Sequence, residues 1–167
     1  MFKMIKSYVW DVFVNKFFAS YIVPYKIREY MYRLLGIKMG KKSAIHAKCY
    51  VSGKNITIGN HSYLNKECVI DACYGRIFIG NNVGIAYRCQ LLTTNHDYSD
   101  GNKRTGKVFG ADIVIEDGCW IGAGTIILPG VTIKNGVMVA AGSVVTKDCE
   151  ENCLYAGNPA RKIKELQ

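Results

Sequence analysis

The stretch Ile115–Val145, IEDGCWIGAGTIILPGVTIKNGVMVAAGSVV, carries an aliphatic residue at every sixth position: Ile115, Ile121, Ile127, Ile133, Val139 and Val145. The same stride runs through Ile58, Leu64 and Ile70, and again through Ile79, Ile85 and Leu91. Ile, Leu and Val fill 40 of the 167 positions, so six hits in one given phase arise by chance about twice in 10,000 trials. A period of six matches neither the 3.6-residue helix nor the two-residue strand. It matches a chain that makes a short strand, turns a corner and repeats, which is a parallel β-helix. A second column supports this. Four places after the aliphatic residues stand Ser62, Cys68, Val83, Cys89, Cys119, Thr125, Val131, Val137 and Ser143, all small or β-branched. The aliphatic side chains fill the inside of each coil, and the smaller ones fit inside near the corners. Glycines recur beside both columns, where tight corners need them. A β-sandwich with evenly spaced turns would not hold one phase so strictly. The expected fold is all-β, a prism of parallel strands with faces about one hexapeptide wide.

The composition suits a single main domain. The chain is 49% hydrophobic and 21% charged, which affords a core and argues against disorder. Five of the seven cysteines, Cys49, Cys68, Cys89, Cys119 and Cys149, fall on the small inward column, where they act as buried hydrophobes rather than a disulfide framework. Cys73 and Cys153 lie off it and are the expected exposed thiols. No secretory signal is apparent, because Asp11 interrupts the first apolar stretch. The run Phe17–Tyr25 is too short to span a bilayer. These features predict a reducing, cytoplasmic setting.

Three parts follow. Residues 1–43 lie outside the repeat and read as two basic, aromatic helices broken at Pro24, the second ending near Gly36. Residues 44–154 are the prism. Residues 155–167 leave it through Gly157-Asn158-Pro159 and are expected to end as a short basic helix. The first part holds nine Lys/Arg and two acids, a net +7 of the chain's +9. Two readings of it stand side by side. The helices close the end of the prism, or they make peripheral contact with an anionic membrane at the inner face. No motif points to nucleic acid, and net charge alone does not imply it.

The repeat breaks once conspicuously. Leu91 and Ile115 are four strides apart, and between them an excursion, residues 93–112, begins with the polar run Thr93 to Gly106. Loops on a rigid scaffold tend to carry chemistry. At the root of this one stands His96, one of three histidines. A neutral imidazole there is a candidate general base, although a histidine in a polar loop is commonly only a surface residue.

The hexapeptides, the loop Thr94-Asn95-His96-Asp97, the run Trp120-Ile121-Gly122-Ala123-Gly124, Pro129-Gly130-Val131-Thr132-Ile133, Ala141 to Asp148, and the tail Gly157-Asn158-Pro159-Ala160-Arg161-Lys162-Ile163 together resemble the hexapeptide-repeat O-acetyltransferases, above all the galactoside, maltose and surface-polysaccharide enzymes. The likeness spans about residues 36–167. It implies a left-handed parallel β-helix, a homotrimer with active sites between subunits, acetyl-coenzyme A (acetyl-CoA) as donor, a sugar or glycan acceptor, and no metal. By the same resemblance His96 is the base and Asn65 lies near the acceptor. Trp120 stands beside the site, and the Ala123 amide faces the thioester oxygen. Coenzyme A contacts fall on Ala141, Thr146, Lys147, Arg161 and Lys164. Phosphates need cations and backbone N–H groups, which these positions supply. Taken alone, Asn65 reads as a corner residue in an unusual turn conformation, Trp120 as an aromatic packing on a neighbouring subunit, and the late lysines as a solvated tail.

The amino-terminal cap of the galactoside and maltose enzymes has no counterpart pattern here. The entry Arg33-Leu34-Leu35-Gly36-Ile37-Lys38-Met39-Gly40 resembles acetyltransferases of capsular, exopolysaccharide and lipopolysaccharide clusters. The competing readings are an N-acetyltransferase of an amino sugar nucleotide, an antibiotic acetyltransferase, and a scaffold without catalysis. A zinc enzyme would need converging histidines, and His46, His61 and His96 contain no close pair. A serine acetyltransferase would carry a larger helical domain.

Overall fold

The inward aliphatic residues stack coil upon coil, and this stacking builds the molecule. The computed structural model describes residue 5 and residues 8–167. The first face of the prism holds Lys38–Met39, Ile56–Ile58, Ile77–Ile79, Ile113–Ile115 and Thr132–Ile133. The second holds Ala44–Ile45, Tyr63–Leu64, Gly84–Ile85, Trp120–Ile121, Met138–Val139 and Cys153–Gly157. The third holds Tyr50–Ser52, Val69–Asp71, Gln90–Leu92, Ile126–Ile127 and Val144–Val145. All these pairings are parallel and in register: Ile58, Ile79, Ile115 and Ile133 align on the first face, and Leu64, Ile85, Ile121 and Val139 on the second. Each of these side chains is buried, as are Ser62, Thr125 and Ser143 of the small column.

The corners differ in construction. Between the first and second faces, a side-chain ladder holds successive coils. Asn60 Oδ1 accepts Lys41 N, Asn81 Oδ1 accepts Asn60 N, Asp117 Oδ1 accepts Asn81 N, and Asn135 Oδ1 accepts Asp117 N. The corner between the third and first faces takes up every insertion. The inward residues Val51 and Ile58 are seven apart, Ile70 and Ile79 nine, and Leu91 and Ile115 twenty-four, against six between Ile127 and Ile133. These bulges stack on one another: Cys73 Sγ lies 2.8 Å from Ser52 Oγ, Thr93 Oγ1 donates to Asp71 O, and Arg76 pairs with Asp112 at 2.7 Å. The excursion is therefore the longest member of a graded series on one edge.

The helices close the lower end. Residues Asp11–Phe18 wind as a π-helix, α1, and Tyr25–Leu34 form α2, which ends at Gly36 with φ +93°. Val14, Phe18, Tyr32 and Ile37 join the core of the prism. The Trp10 indole donates to Val51 O at 2.7 Å, and Asn15 Oδ1 accepts Val51 N, so the free edge of the third face is met by side chains. Arg28 is buried and donates to Phe18 O, Ser20 O and Val23 O, satisfying carbonyls left open past the end of α1. No helix of the described residues is long and apolar enough to cross a membrane.

Two expectations are corrected. The carboxyl-terminal helix is absent: Ala160–Glu165 is a strand that turns back antiparallel onto Cys153–Gly157. The last coil exposes a five-residue edge with unmet N–H and C=O groups, and pairing it outweighs local helix propensity. Cys153 is buried, at 2% exposure, because Val139 and Tyr155 align although only sixteen residues apart, and the shortened coil turns Cys153 inward. Cys73 is exposed, and the five column cysteines are buried, as the repeat predicts.

Candidate functional site

The excursion is a β-arm. Thr94–His96 pairs antiparallel with Val108–Gly110, matching His96 with Val108. Gly106 N donates to Asp97 O, and Asp97 N to Lys107 O, which closes the arm just beyond His96. The Asp97 carboxylate, held below the usual carboxylate range by the Ser99 amide and hydroxyl, stiffens the turn that follows. His96 is exposed, and its Nδ1 lies 3.3 Å from Gly106 O. A carbonyl only accepts, so Nδ1 carries the hydrogen in that contact. In the neutral ring Nε2 is then the free acceptor.

The other expected residues fall on two edges. Asn65, Ala123 and Ala141 follow Leu64, Ile121 and Val139 and share the corner between the second and third faces. Asn65 is half-buried, and its Oδ1 accepts Lys66 N. The left-handed residues of this corner are Lys48, Glu67, Arg88, Gly124 and Gly142, so Asn65 is not there to relieve a strained turn. Ala123 O accepts Gly142 N at 2.8 Å, while among the described residues no hydrogen bond takes up the Ala123 N–H. Trp120 points outward from the adjoining second face, 41% exposed, over Gly84 and beside the Tyr63 hydroxyl.

His96, Thr146 and Lys147 belong instead to the insertion-bearing corner. The single chain therefore does not bring His96 together with Asn65, because the third face lies between their edges. Lys147 and Arg161 line a common groove of about 250 Å³ with Asp148, Tyr155, Ala160 and Lys162. Lys162 is engaged by Glu150 and Glu165, leaving Lys147 and Arg161 as its unpaired cations among the described residues. Lys164 pairs in register with Leu154 and does not line this groove. Tyr63 and Gly84 were not singled out by sequence, although their register with Trp120 follows from the stride. Among the described residues no three His, Cys, Asp or Glu side chains gather to hold a metal ion.

Residues 112–147 match the model of the bacterial transferase hexapeptide (six repeats) family. The chain is 35% identical to galactoside O-acetyltransferase of Escherichia coli over 140 residues, 83% of this chain and 68% of the relative. It is 31% identical to a putative colanic acid biosynthesis acetyltransferase of the same organism, over 93% of this chain and 84% of the relative. The chain spans only 55% and 58% of the length of two other curated relatives, putative acetyltransferases of Schizosaccharomyces pombe and Saccharomyces cerevisiae. A hexapeptide-repeat acetyltransferase of Vibrio cholerae, solved with acetyl coenzyme A, superposes with a TM-score of 0.83 at 30% identity, covering 98% of this chain and 86% of that one. With its in-register coils, its arm and its capped end, the chain belongs to the hexapeptide-repeat acetyltransferase family.

Proposed function

We propose that the protein transfers the acetyl group of acetyl-CoA to a sugar hydroxyl, in the biosynthesis of a surface polysaccharide. The observation that carries this is the Nδ1 contact of His96 with Gly106 O, which leaves Nε2 as acceptor on an exposed, buttressed arm. In this reading Nε2 takes the hydroxyl proton as the sugar oxygen attacks the thioester carbonyl. The Ala123 N–H stabilises the developing oxyanion. Collapse breaks the carbon–sulfur bond, and the imidazolium returns its proton to the departing thiolate, so no acetyl-enzyme forms. Asn65 acts beside His96 on the acceptor, and Trp120 lines the cofactor side of the site. Ala141, Thr146, Lys147 and Arg161 hold coenzyme A, with Lys147 and Arg161 meeting its phosphates. Lys164 lies outside that groove and would reach coenzyme A only from beyond it.

The separation of His96 from Asn65 and Ala123 within one chain supports a homotrimer in which neighbouring edges complete each site. The galactoside and colanic acid relatives support a saccharide acceptor. For residues 1–43, the contacts of Trp10, Val14 and Phe18 favour the cap. The exposed Val9, Phe13 and Phe17 beside basic charge still suit an anionic lipid surface, which co-sedimentation with anionic vesicles at low salt tests. The deciding experiment for the activity is a mass-spectrometric screen of sugars, nucleotide sugars and aminoglycosides with acetyl-CoA. Acetyl esters on saccharides are expected. Acetyl amides alone, or no transfer by a trimer that binds coenzyme A, would overturn the reading.

A further inference from the structure

Resting on that reading, the corner that carries Asn65 also has a lower end, and it is basic. Upward from Asn65 the corner reaches Ala123 and Ala141, the donor side. Downward it reaches His46 and Lys48, one coil nearer the helical cap. Lys48 has φ +63°, and its N–H donates to Ala19 O at 2.6 Å, tying the corner to the end of α1. That tie brings Tyr21, two residues on, under the corner. The Lys48 and Lys66 ammonium groups stand 5.7 and 5.4 Å from the centre of its ring.

Two like charges beside one ring repel, and a cation–π contact at an exposed site gives each only a weak attraction. Among the described residues neither lysine has a carboxylate partner. Glu67, the acid of this corner, is held by Arg88 at 2.8 Å. The nearby guanidinium of Arg28 is buried among carbonyls and adds positive potential. His46, edge-on to Tyr63 at 6.2 Å, feels this: burial first, then Arg28 and Lys66, hold its imidazole below the usual histidine range. A neutral imidazole, two uncompensated ammonium groups and the Asn65 side chain thus line the end of the edge opposite the donor.

We infer that Lys48 and Lys66 form an anion subsite, so that the acceptor is a saccharide bearing a phosphate or a carboxylate. An anionic group that draws both flexible side chains to it would relieve their repulsion and gain a charge-assisted hydrogen bond from each. The charged group would lie on the far side of the sugar from the hydroxyl that receives the acetyl group.

The test is saturation-transfer NMR on the trimer with glucose, glucose 1-phosphate and glucuronate as probes, with coenzyme A present to fill its own phosphate groove. The sugar phosphate, the uronate or both are expected to bind at least tenfold more tightly than glucose, and whichever binds assigns the charge. The double variant Lys48→Ala/Lys66→Ala should lose at least tenfold in affinity for that anion while keeping its affinity for coenzyme A, and Lys48→Arg/Lys66→Arg should recover most of the loss. Equal binding of all three probes, no binding of any, or binding that survives the double alanine variant overturns the inference. Failure of the wild-type protein to bind coenzyme A would instead overturn the acetyltransferase reading; the same titration without coenzyme A still decides the anion subsite.

Discussion

Gly84→Ala should dislodge Trp120. A Cβ built on Gly84 stands 2.6 and 2.7 Å from Trp120 Cε3 and Cζ3, and 3.2 Å from Tyr63 Oη. Carbon atoms settle at about 3.5–4.0 Å, so the indole has to retreat by about 1 Å. The backbones cannot part instead. Gly84 N donates to Cys119 O at 3.0 Å and Trp120 N to Val137 O at 2.9 Å, and both strands continue in register above and below. Overpacking costs about 1–3 kcal/mol, and replacing a strand glycine returns about 0.5–1 kcal/mol. The net is a loss of up to about 2.5 kcal/mol, a fall in Tm of up to roughly 10 °C for a chain of this size. The more telling readout is the indole. In a Trp10→Phe background, where Trp120 is the sole tryptophan, Gly84→Ala should raise acrylamide quenching and shift the emission to the red. Unchanged quenching together with an unchanged or higher Tm would show that Trp120 does not lie over Gly84, and the outward register of the second face would fail with it.

His96→Ala should lower turnover by about 10²–10⁴ while leaving coenzyme A affinity within a few-fold, since the ring acts on the acceptor proton; normal turnover would remove His96 as the base. Thiol labelling should modify Cys73 rapidly and the other six cysteines only on denaturation, because burial pushes Cys119 up to about 11 and Cys149 up to about 12 and depletes their thiolates; fast labelling of Cys68, Cys89 or Cys153 in the folded protein would contradict the inward column. His46 should make the fold acid-sensitive. Its folded-state pKa is depressed, so the unfolded chain binds the proton more readily, and this share of stability is complete above the unfolded value of about 6.5 and drains as pH falls below it. The urea midpoint of the wild type should therefore drop more steeply between pH 7 and 5 than that of His46→Asn, and parallel curves would refute the point.

The physical rules that made parts of this molecule legible also explain where reading stopped. An inward side chain must recur with the coil, so the stride exposed the three faces, the buried cysteines and the register that puts Trp120 over Gly84. A corner has no such obligation. One or three extra residues after Val51 and Ile70 cost little when they stack on the bulge below, as Cys73 does on Ser52, and short additions leave no periodic trace. Only the longest member of that series, the arm carrying His96, was conspicuous. The chain's last residues misled for the same reason in reverse. Ala160–Glu165 has no internal pattern that marks a strand, and its conformation is dictated by the open edge of Cys153–Gly157, which lies elsewhere in space. The site has the same dependence at a larger scale. His96 and Lys147 rise from the edge that accepts insertions, whereas Asn65, Ala123 and Ala141 sit on an edge held close to hexapeptide spacing. The strict edge fixes backbone amides and small side chains in place, and the permissive edge carries the arm. In the site proposed above, the coenzyme A contacts Ala141, Thr146 and Lys147 lie outside the arm, so an acceptor pocket can change with the arm while the donor groove stays as it is. Exchanging residues 94–110 for the arm of a relative should then alter acceptor preference and leave coenzyme A affinity unchanged; a chimera that stays folded but loses coenzyme A binding would show that the arm itself holds the donor.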